Sequence, residues 1–391
     1  MPKIKSIKTT VWEWIGPVAP MPANFCTTPN DLISNDSGSI ANFRFLGWLI
    51  VEIETEDGLV GIGNSALVPY VVKSLIDTQL APMLIGQDAL DTEILWQTMF
   101  RSTMAFGRKG VGMIAISSLD LALWDIKGKH HELPVFRLLG GRTKSKLPVY
   151  ASRLYSQPLG SLAEETKSYL DQGFSMLKLR MGWGPKDGAA GMKRNEELVR
   201  TVRDLAGDEV DIMVDCYMGW SLEYAKQMLR RLAPYNLRWI EEPLIPDDIA
   251  GYAELKAMNL VPIAGGEHEY SLYGFRQLIE ARAIDFAQFD VNRVGGITAA
   301  QKIAHLCEAF DIAMVPHGGQ MHNYHVSLSS IAAPFSEFFP KVPVEVGNEL
   351  FWYIFDGEPE AKNGFVNLSD DITGFGLSLK VPTPETFRLI T

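Results

Sequence analysis

The sequence has few cysteines, no long apolar run and no basic tract. Three cysteines (Cys26, Cys216 and Cys307) occur in 391 residues, and no two are spaced as CxxC, which argues against a disulfide framework and a structural zinc site. No apolar stretch approaches the roughly 20 residues that a bilayer-spanning helix needs. The N-terminus lacks the apolar core of a signal peptide. These absences predict a cytoplasmic protein that does not associate with a membrane.

The charge balance is acidic, with 36 Lys and Arg against 47 Asp and Glu and a formal net charge of −11. Binding to a phosphate backbone requires a basic face, so nucleic acid is not an expected partner. No GxGxxG follows an expected strand, which weakens the case for a dinucleotide-binding fold.

Residues 1–140 are expected to form an α+β domain. The segment 46–63 is rich in strand-forming residues and contains Glu-Asp-Gly, which predicts a hairpin. Helices are expected over 76–86, over 91–100 with Asp91 as N-cap, and over 112–129, where apolar residues on more than one face predict burial. The stretch 16–45 has no periodicity and is rich in Pro, Asn, Ser and Gly, as is typical of a lid or a disordered loop.

From residue 141 to residue 345, short apolar runs alternate with longer helical stretches. Strands that are apolar almost throughout, separated by helices, indicate a parallel sheet covered by helices. About eight such units in some 200 residues predict an α/β fold of the TIM-like barrel type rather than a doubly wound sheet. Residues 346–391 are expected to return to the N-terminal domain.

Ionisable residues stand at or near the ends of these apolar runs: Lys178, Arg180, Asp215, Glu241, Glu267, Asp290, His317 and Glu337. The carboxyl ends of all strands of such a barrel open onto one face, so these side chains should converge there. Asp215, Glu241 and Glu267 follow one another at intervals of 26 residues, one strand–helix–strand step, which places three carboxylates on adjacent strands. Three converging anions need a cation, and oxygen ligands without a thiolate favour Mg2+, or Mn2+ in its place.

The stretch "WIEEP" sets Glu241 beside Glu242. Successive strand side chains point to opposite sides, so the two carboxylates need not share a role. We assign Glu241 to the metal and expect Glu242 to face a neighbour or the loop, an assignment that a slip of one residue would reverse.

The motifs "VDCYM", "WIEEP", "AGGEHE", "QFDVNRVGGIT" and "MVPHGG" together resemble those of the enolase superfamily, and within it the mandelate racemase-like acid-sugar dehydratases. The stretches "SLDLALWDIKGK" and "PVFRLLGG" are similar to the capping domain of that family, and "GWGPKDGAAG" and "PFSEFF" resemble L-rhamnonate dehydratases. The resemblance covers nearly the whole chain. It implies a (β/α)7β barrel with an α+β capping domain, one Mg2+, and removal of a proton next to a carboxylate.

The resemblance also implies roles for single residues. His317 is the expected base, held in tautomer and orientation by Asp290. Glu337 would donate a hydrogen bond to the substrate carboxylate if protonated; the alternative is a plain salt bridge. His268 and Arg44 are candidate substrate ligands, although Arg44 could serve only the hairpin.

Lys178 and Arg180 stand where racemases of this group carry Lys-x-Lys. Arginine is almost never deprotonated and is a poor general base, so the "KLR" of this chain favours a single His–Asp dyad over a two-base scheme. Lys178 and Arg180 would then bind a carboxylate or hydroxyl of the substrate, or form a structural ion pair. The sequence does not decide whether His322 and His325 support the site from behind or lie on the surface.

The implied activity is a Mg2+-dependent hydro-lyase reaction on an aldonic acid, such as L-rhamnonate or a related L-sugar acid, giving a 2-keto-3-deoxy acid through an enediolate. The alternatives are a racemase, epimerase or cycloisomerase on the same scaffold, and a non-catalytic binding protein, which the complete ligand set disfavours. The expected partners are a small sugar-acid substrate and further copies of the chain in a homo-oligomer.

Overall fold

The structure, a computed structural model, describes residues 2–33 and 44–391. Its N-terminal part is an antiparallel sheet that packs against helices, and it is called the cap below. In chain order the cap contains β1 (Ile4–Trp14), β2 (Gly47–Thr55), β3 (Val60–Ser65), α1 (Pro69–Leu75), a π-helical turn (Ile76–Leu80), α2 (Ala81–Leu84), α3 (Thr92–Ser102), α4 (Val111–His130) and α5 (Val135–Leu138).

Most local expectations for the cap are confirmed. β2 and β3 form the predicted hairpin, and α4 is buried along almost its whole length. Gly61 and Gly63 allow α4 to lie directly on β3, since a Cβ at either position would come within about 2 Å of a backbone oxygen of α4. Asp91 occupies the N-cap position of α3, but its side chain makes no capping hydrogen bond. The helix expected over 76–86 is divided between the π-helical turn and α2.

Eight parallel strands alternate with seven helices in the central part of the chain. They are β4 (Leu147–Leu154), α6 (Leu159–Asp171), β5 (Met176–Arg180), α7 (Gly188–Ala206), β6 (Asp211–Asp215), α8 (Leu222–Leu232), β7 (Trp239–Glu241), α9 (Ile249–Ala257), β8 (Ile263–Gly265), α10 (Ser271–Glu280), β9 (Phe286–Ala287), α11 (Gly296–Ala309), β10 (Ala313–Met314), α12 (Met321–Ser329) and β11 (Ser336–Phe338). Each strand from β4 to β9 pairs with the next one in the chain, and β11 pairs with β4. The predicted α/β fold, a (β/α)7β barrel with an α+β capping domain, is confirmed.

The rest of the chain returns along the barrel to the cap. It contains α13 (Phe351–Ile354), β12 (Phe355–Asp356), β13 (Phe365–Val366), β14 (Ser378–Leu379) and β15 (Phe387–Ile390). β13 pairs with β4 of the barrel, and β15 pairs with β1 of the cap. Short 3-10 turns lie at Pro29–Leu32, Pro185–Asp187, Ala233–Tyr235 and Asn348–Leu350. Within the described residues, every helix is too short or too polar to cross a membrane.

An apolar floor fills the barrel below its carboxyl-terminal mouth. It consists of one residue from or beside each strand: Tyr150, Met176, Met213, Trp239, Ala264, Phe286, Val315 and Phe335. Trp239 stacks on Phe335, with ring centroids 5.8 Å apart. Strand side chains repeat with a period of two, so residues two positions after the floor residues point into the barrel one layer higher. Lys178, Asp215, Glu241, His317 and Glu337 all occupy that layer.

The cap is bound to the barrel through the N-terminus of α11. The hydroxyl of Ser117 on α4 accepts hydrogen bonds from the backbone N–H groups of Gly295 and Gly296, at 2.7 and 3.1 Å. Asp120, one turn later, accepts from the backbone N–H of Thr298 at 2.9 Å and from its hydroxyl at 2.6 Å. These bonds satisfy donors that a helix start leaves unpaired. Burial raises the pKa of Asp120 to about 7.

Candidate active site

Lys178 is the central cation of the barrel mouth. Its Nζ lies 2.7 Å from Glu241 Oε1 and 2.7 Å from Glu337 Oε1, and 3.8 Å from Asp215 Oδ2. All four side chains are at most 2% exposed. Burial lowers the pKa of Lys178, but Glu241 and Glu337 outweigh it and hold that pKa well above its usual value. Lys178 is therefore a fixed positive charge among three carboxylates.

Glu241 ends β7 and is held by three donors. Its Oε2 accepts hydrogen bonds from Trp239 Nε1 at 3.0 Å and Gln288 Nε2 at 2.8 Å, while Oε1 faces Lys178. Burial raises the pKa of Glu241 to about 7, against the opposing effect of Lys178. The floor residue Trp239 thus positions the acid two residues later on the same strand.

Asp215 ends β6 and is the direct register neighbour of Glu241. Its Oδ1 accepts a hydrogen bond from the backbone N–H of Tyr217 at 2.9 Å, which fixes a sharp turn after the strand. Tyr217 and Met218 have left-handed backbones, with φ of 41° and 60°. Non-glycine residues in this region store strain and often lie at functional sites.

Arg180 lies beside Asp215, with 2.9 Å between Nη1 and Oδ2. Neither atom makes a hydrogen bond of good geometry within the described residues. A buried carboxylate oxygen that is neutralised but not hydrogen-bonded is available to a cation.

His317 follows β10 and has an acidic neighbour at each ring nitrogen. Nδ1 lies 3.0 Å from Asp290 Oδ2, and Nε2 lies 2.9 Å from Glu267 Oε2 and 4.0 Å from Glu337 Oε2. Burial lowers the pKa of His317, but Glu267 and Glu337 outweigh it and raise that pKa to about 10. A proton on Nδ1 that is donated to Asp290 leaves Nε2 as the atom that can exchange a proton at the mouth.

Of the two roles considered for Glu337, a hydrogen-bond donor or a salt-bridge partner, the structure shows the salt bridge. Besides the ion pair with Lys178, its Oε2 accepts a hydrogen bond from the backbone N–H of Gly318 at 2.7 Å. Burial favours the neutral carboxyl, but Lys178 and His317 outweigh it and lower the pKa of Glu337 to about 2. In this structure Glu337 is an ionised acceptor.

Arg293, which is not among the site residues predicted from the sequence, links the acids on either side of His317. Arg293 Nε lies 3.1 Å from Asp290 Oδ2, and its Nη1 lies 3.3 Å from Glu267 Oε1. The residue stands three positions after Asp290 within "DVNRVGG", where the chain turns from β9 into α11. The sequence signal that could have identified it was its position in the motif "QFDVNRVGGIT", close to Asp290.

Glu242 faces the loop after β8, as expected. Its Oε2 lies 2.6 Å from His268 Nδ1, and its own backbone is left-handed with φ of 39°. The other ring nitrogen of His268 lies 3.5 Å from Glu267 Oε1, and its ring packs edge-on against Tyr217. Burial lowers the pKa of His268, but Glu242 and Glu267 outweigh it and raise that pKa.

The three predicted metal ligands are each neutralised by basic side chains of the chain itself. Lys178 and Arg180 contact Asp215, Lys178 contacts Glu241, and Glu267 is contacted by His317, Arg293 and His268. Among the described residues, the trio whose donor atoms come within 4.8 Å of one another is Glu242, Glu267 and His268. The predicted trio nevertheless fits Mg2+, because its members are buried oxygen donors at the ends of adjacent strands.

The front segment of the chain lies on the loops that follow β5 and β6. Thr27 donates from its hydroxyl to Cys216 O and from its backbone N–H to Met181 O, both at 2.6 Å. Gly219 permits this contact, since a Cβ there would meet Thr27 Cβ at 2.5 Å. Residues 34–43 of the expected lid lie outside the described residues, and Arg44 is exposed at the start of the second described region.

His322 and His325 lie on α12 behind the mouth, in a supporting position. Both are buried, and burial lowers the pKa of each to about 3. His325 Nδ1 accepts a hydrogen bond from the backbone N–H of Phe136 at 2.9 Å, and His322 packs against Phe375. These histidines are neutral core residues.

Family models match both halves of the chain. Residues 39–140 match the mandelate racemase / muconate lactonizing enzyme N-terminal domain, and residues 161–383 match the enolase C-terminal domain-like family. An L-rhamnonate dehydratase of Saccharopolyspora erythraea is 38% identical over 339 residues, which cover 85% of this chain and 83% of that protein.

Solved structures agree with these matches. A rhamnonate dehydratase from Gibberella zeae complexed with Mg has 33% identity and a TM-score of 0.84, and the alignment covers 97% of this chain and 94% of that one. A 3,6-anhydro-D-galactonate cycloisomerase from Zobellia galactanivorans has 29% identity and a TM-score of 0.80 over 96% of this chain and 97% of that one. The chain therefore belongs to the mandelate racemase / muconate lactonizing enzyme family of the enolase superfamily.

Proposed function

We propose that the chain is a Mg2+-dependent hydro-lyase that converts an aldonic acid, L-rhamnonate or a related L-sugar acid, into a 2-keto-3-deoxy acid. The observation that carries this proposal is the placement of His317. Its Nε2 faces the mouth while Asp290 holds Nδ1, beside three buried carboxylates on neighbouring strands. The activities named for the 38% and 33% identical relatives support the same reaction class.

Asp215, Glu241 and Glu267 would hold Mg2+. A carbon acid next to a carboxylate is very weak, because loss of its proton makes a dianionic enediolate; bound Mg2+ supplies the positive charge that stabilises this species. Glu267 is the largest influence that raises the pKa of His317, so Mg2+ on Glu267 would leave the imidazole neutral. The neutral His317 Nε2 then removes the C2 proton. The same nitrogen then returns that proton to the departing C3 hydroxyl, so the C3–O bond breaks, the C2–C3 double bond forms and water is released. The resulting enol becomes the 2-keto acid.

A single base is consistent with the contacts of the other basic residues. Lys178 is ion-paired with Glu241 and Glu337, and Glu337 is ionised beside it. Arg180 is ion-paired with Asp215 and is a poor proton acceptor. We assign both residues a charge-balancing and positioning role at the mouth.

The reaction is tested by supplying the Mg2+-loaded protein with a library of aldonic and aldaric acids and measuring 2-keto acid formation. We expect L-rhamnonate or a stereochemical relative to give product. Failure of every acid would contradict dehydration. Exchange of the α-proton in D2O without loss of water would then indicate a racemase or epimerase, and the absence of both signals would indicate a binding protein.

A cycloisomerase is the second candidate, and the observation in its favour is the structural match to the Zobellia galactanivorans enzyme. Both reactions begin with removal of a proton next to a carboxylate, so the dyad alone does not separate them. A cycloisomerase gives a product of unchanged mass, whereas dehydration lowers the mass by one water. Mass spectrometry of the product distinguishes the two.

Replacing Lys178 with methionine should make the fold depend on Mg2+. Removing one partner of a buried ion pair costs about 3 to 5 kcal/mol in the free energy of unfolding, because Glu241 and Glu337 lose their neutralising charge. Bound Mg2+ would replace that charge. We therefore expect Lys178→Met to melt at a lower temperature without Mg2+ and to gain more from added Mg2+ than the parent protein.

Lys144→Met is the control for this comparison. Lys144 is half-buried and donates to the carbonyl oxygens of Ser327 and Ser330 rather than to a carboxylate. Its removal should lower the melting temperature without changing the gain from Mg2+. Equal Mg2+ gains in the two variants would contradict the charge-balancing role of Lys178.

A further inference from the structure

A small cavity lies between the cap and the barrel, next to the catalytic dyad. Its walls include Trp48 and Ser65 from the cap and Asn292, His317, Gln320 and Phe339 from the barrel. About 20 Å³ of it is open to the centre of a water molecule. A cavity needs roughly 10–15 Å³ by this measure to hold one water, provided that it also offers two to four polar partners. By this measure the space fits one water.

Three polar atoms of the cavity walls have no partner within the described residues. They are Ser65 Oγ, Asn292 Oδ1 and Gln320 Oε1. Their residues are 1%, 5% and 9% exposed. Buried polar groups in native proteins are nearly always hydrogen-bonded, to protein or to ordered water. Three such atoms around one space point to a ligand in that space.

The chemistry of the three atoms matches one water molecule. The two amide oxygens accept hydrogen bonds, and the serine hydroxyl can donate one. Water has two hydrogens to give to the amide oxygens and a lone pair to accept from Ser65. Asn292 is held in place because its Nδ2 donates to the backbone oxygen of Asn64 at 3.0 Å.

The cavity also adjoins the reacting groups. Asp290, His317 and Gly318 form part of its wall, and Phe339 closes it with its ring 6.0 Å from that of His317. We propose that the cavity is a water site that receives the water released by dehydration, held by Ser65, Asn292 and Gln320. This inference rests on the proposed function.

The site would act while the C3–O bond breaks. The hydroxyl takes the proton from His317 Nε2 and departs as water, and the electron pair of the C2 carbanion becomes the C2–C3 double bond. The departing water displaces the resident solvent water of the cavity and is separated from the enol. With the site damaged, the C3–O bond breaks more slowly, and return of the proton from His317 to C2 of the enediolate competes better with elimination.

The test compares proton exchange with dehydration in Gln320→Leu and Ser65→Ala. Each Mg2+-loaded variant is given L-rhamnonate, or the acid that the library identifies, in D2O. Keto acid formation and deuterium at C2 of the recovered acid are both measured. Losing one hydrogen bond to the departing water should slow dehydration about tenfold and raise the ratio of exchange to dehydration by a similar factor.

Thr10→Val is the matched control. Thr10 Oγ1 is also a buried hydroxyl oxygen without a partner among the described residues, but Thr10 lies on β1 and is not part of the cavity wall. Its removal should leave the ratio unchanged. An unchanged ratio in both cavity variants would overturn the inference, as would equal changes in all three variants.

A crystal structure of the free protein gives a second test that does not depend on turnover. We expect one ordered water within hydrogen-bond distance of Ser65 Oγ and Gln320 Oε1. A dry cavity would overturn the inference, and so would a second crystal structure, with the acid bound, in which a carbon atom of the acid lies in the cavity. Failure of the proposed function looks different, because the parent protein itself would then form no keto acid.

Discussion

Replacing His317 with asparagine is expected to lower keto acid formation by at least about 1,000-fold, because one positioned acid–base group contributes 10²–10⁴ and His317 serves in two proton transfers. Asparagine has no group that titrates, so neither removal of the C2 proton nor protonation of the C3 hydroxyl is assisted. Exchange of the C2 proton in D2O should be lost together with dehydration. The measurement is keto acid formation and deuterium incorporation at saturating substrate and Mg2+.

His322→Asn is the matched control for that variant. His322 lies five residues later, is equally buried, and packs against Phe375 with its ring centroids 4.4 Å apart. Its loss should lower the melting temperature while leaving most of the activity of the folded fraction. If His317→Asn retains proton exchange but loses dehydration, another residue is the base and His317 acts only on the leaving hydroxyl.

Much of this site could be predicted from the sequence because strand side chains alternate with a period of two. An acid or histidine at the carboxyl end of an apolar run lies on the inner face one layer above a large floor residue, as Trp239 and Glu241 show. The same alternation separates Glu241 from Glu242, which turns to His268 instead. A local pattern thus decides which way each side chain points.

Contacts between segments that are distant in the sequence could not be predicted from this alternation of side chains. Ser65 on the cap and Gln320 on the barrel line the same cavity, although 255 positions separate them in the sequence. Their approach depends on how α4 packs against β3 and α11, through Gly61, Gly63 and Ser117. No periodicity in either segment encodes that packing.

The charge state of the side chains at the barrel mouth could not be predicted from the sequence either. Three carboxylates in register predict a cation, but they do not say whether the chain itself supplies one. Lys178 lies among the acids because it is two positions after the floor residue Met176 and so points into the barrel in the same layer as they do. Whether Glu337 is a donor or an ion-pair partner follows from that single placement.

The second large expected effect is a loss of Mg2+ binding when a metal ligand is replaced. Two candidate sets of three ligands share Glu267. Asp215 and Glu241 complete one trio, and Glu242 and His268 complete the other. Mg2+ prefers oxygen to imidazole nitrogen, and Glu242 is already committed to His268 at 2.6 Å. Asp215 Oδ2 has no such bond within the described residues. We therefore expect Asp215→Asn to lose Mg2+ binding and Glu242→Gln to keep it.

The expected loss of Mg2+ affinity in Asp215→Asn is at least about 100-fold, since even residues that only support a ligand change metal affinity by 10–100-fold. Calorimetric titration of the folded variants with Mg2+ measures this directly, without substrate. Dehydration should fall with Mg2+ occupancy in Asp215→Asn, whereas Glu242→Gln should retain binding within a few-fold of the parent. The reverse pattern would move the metal to Glu242, Glu267 and His268.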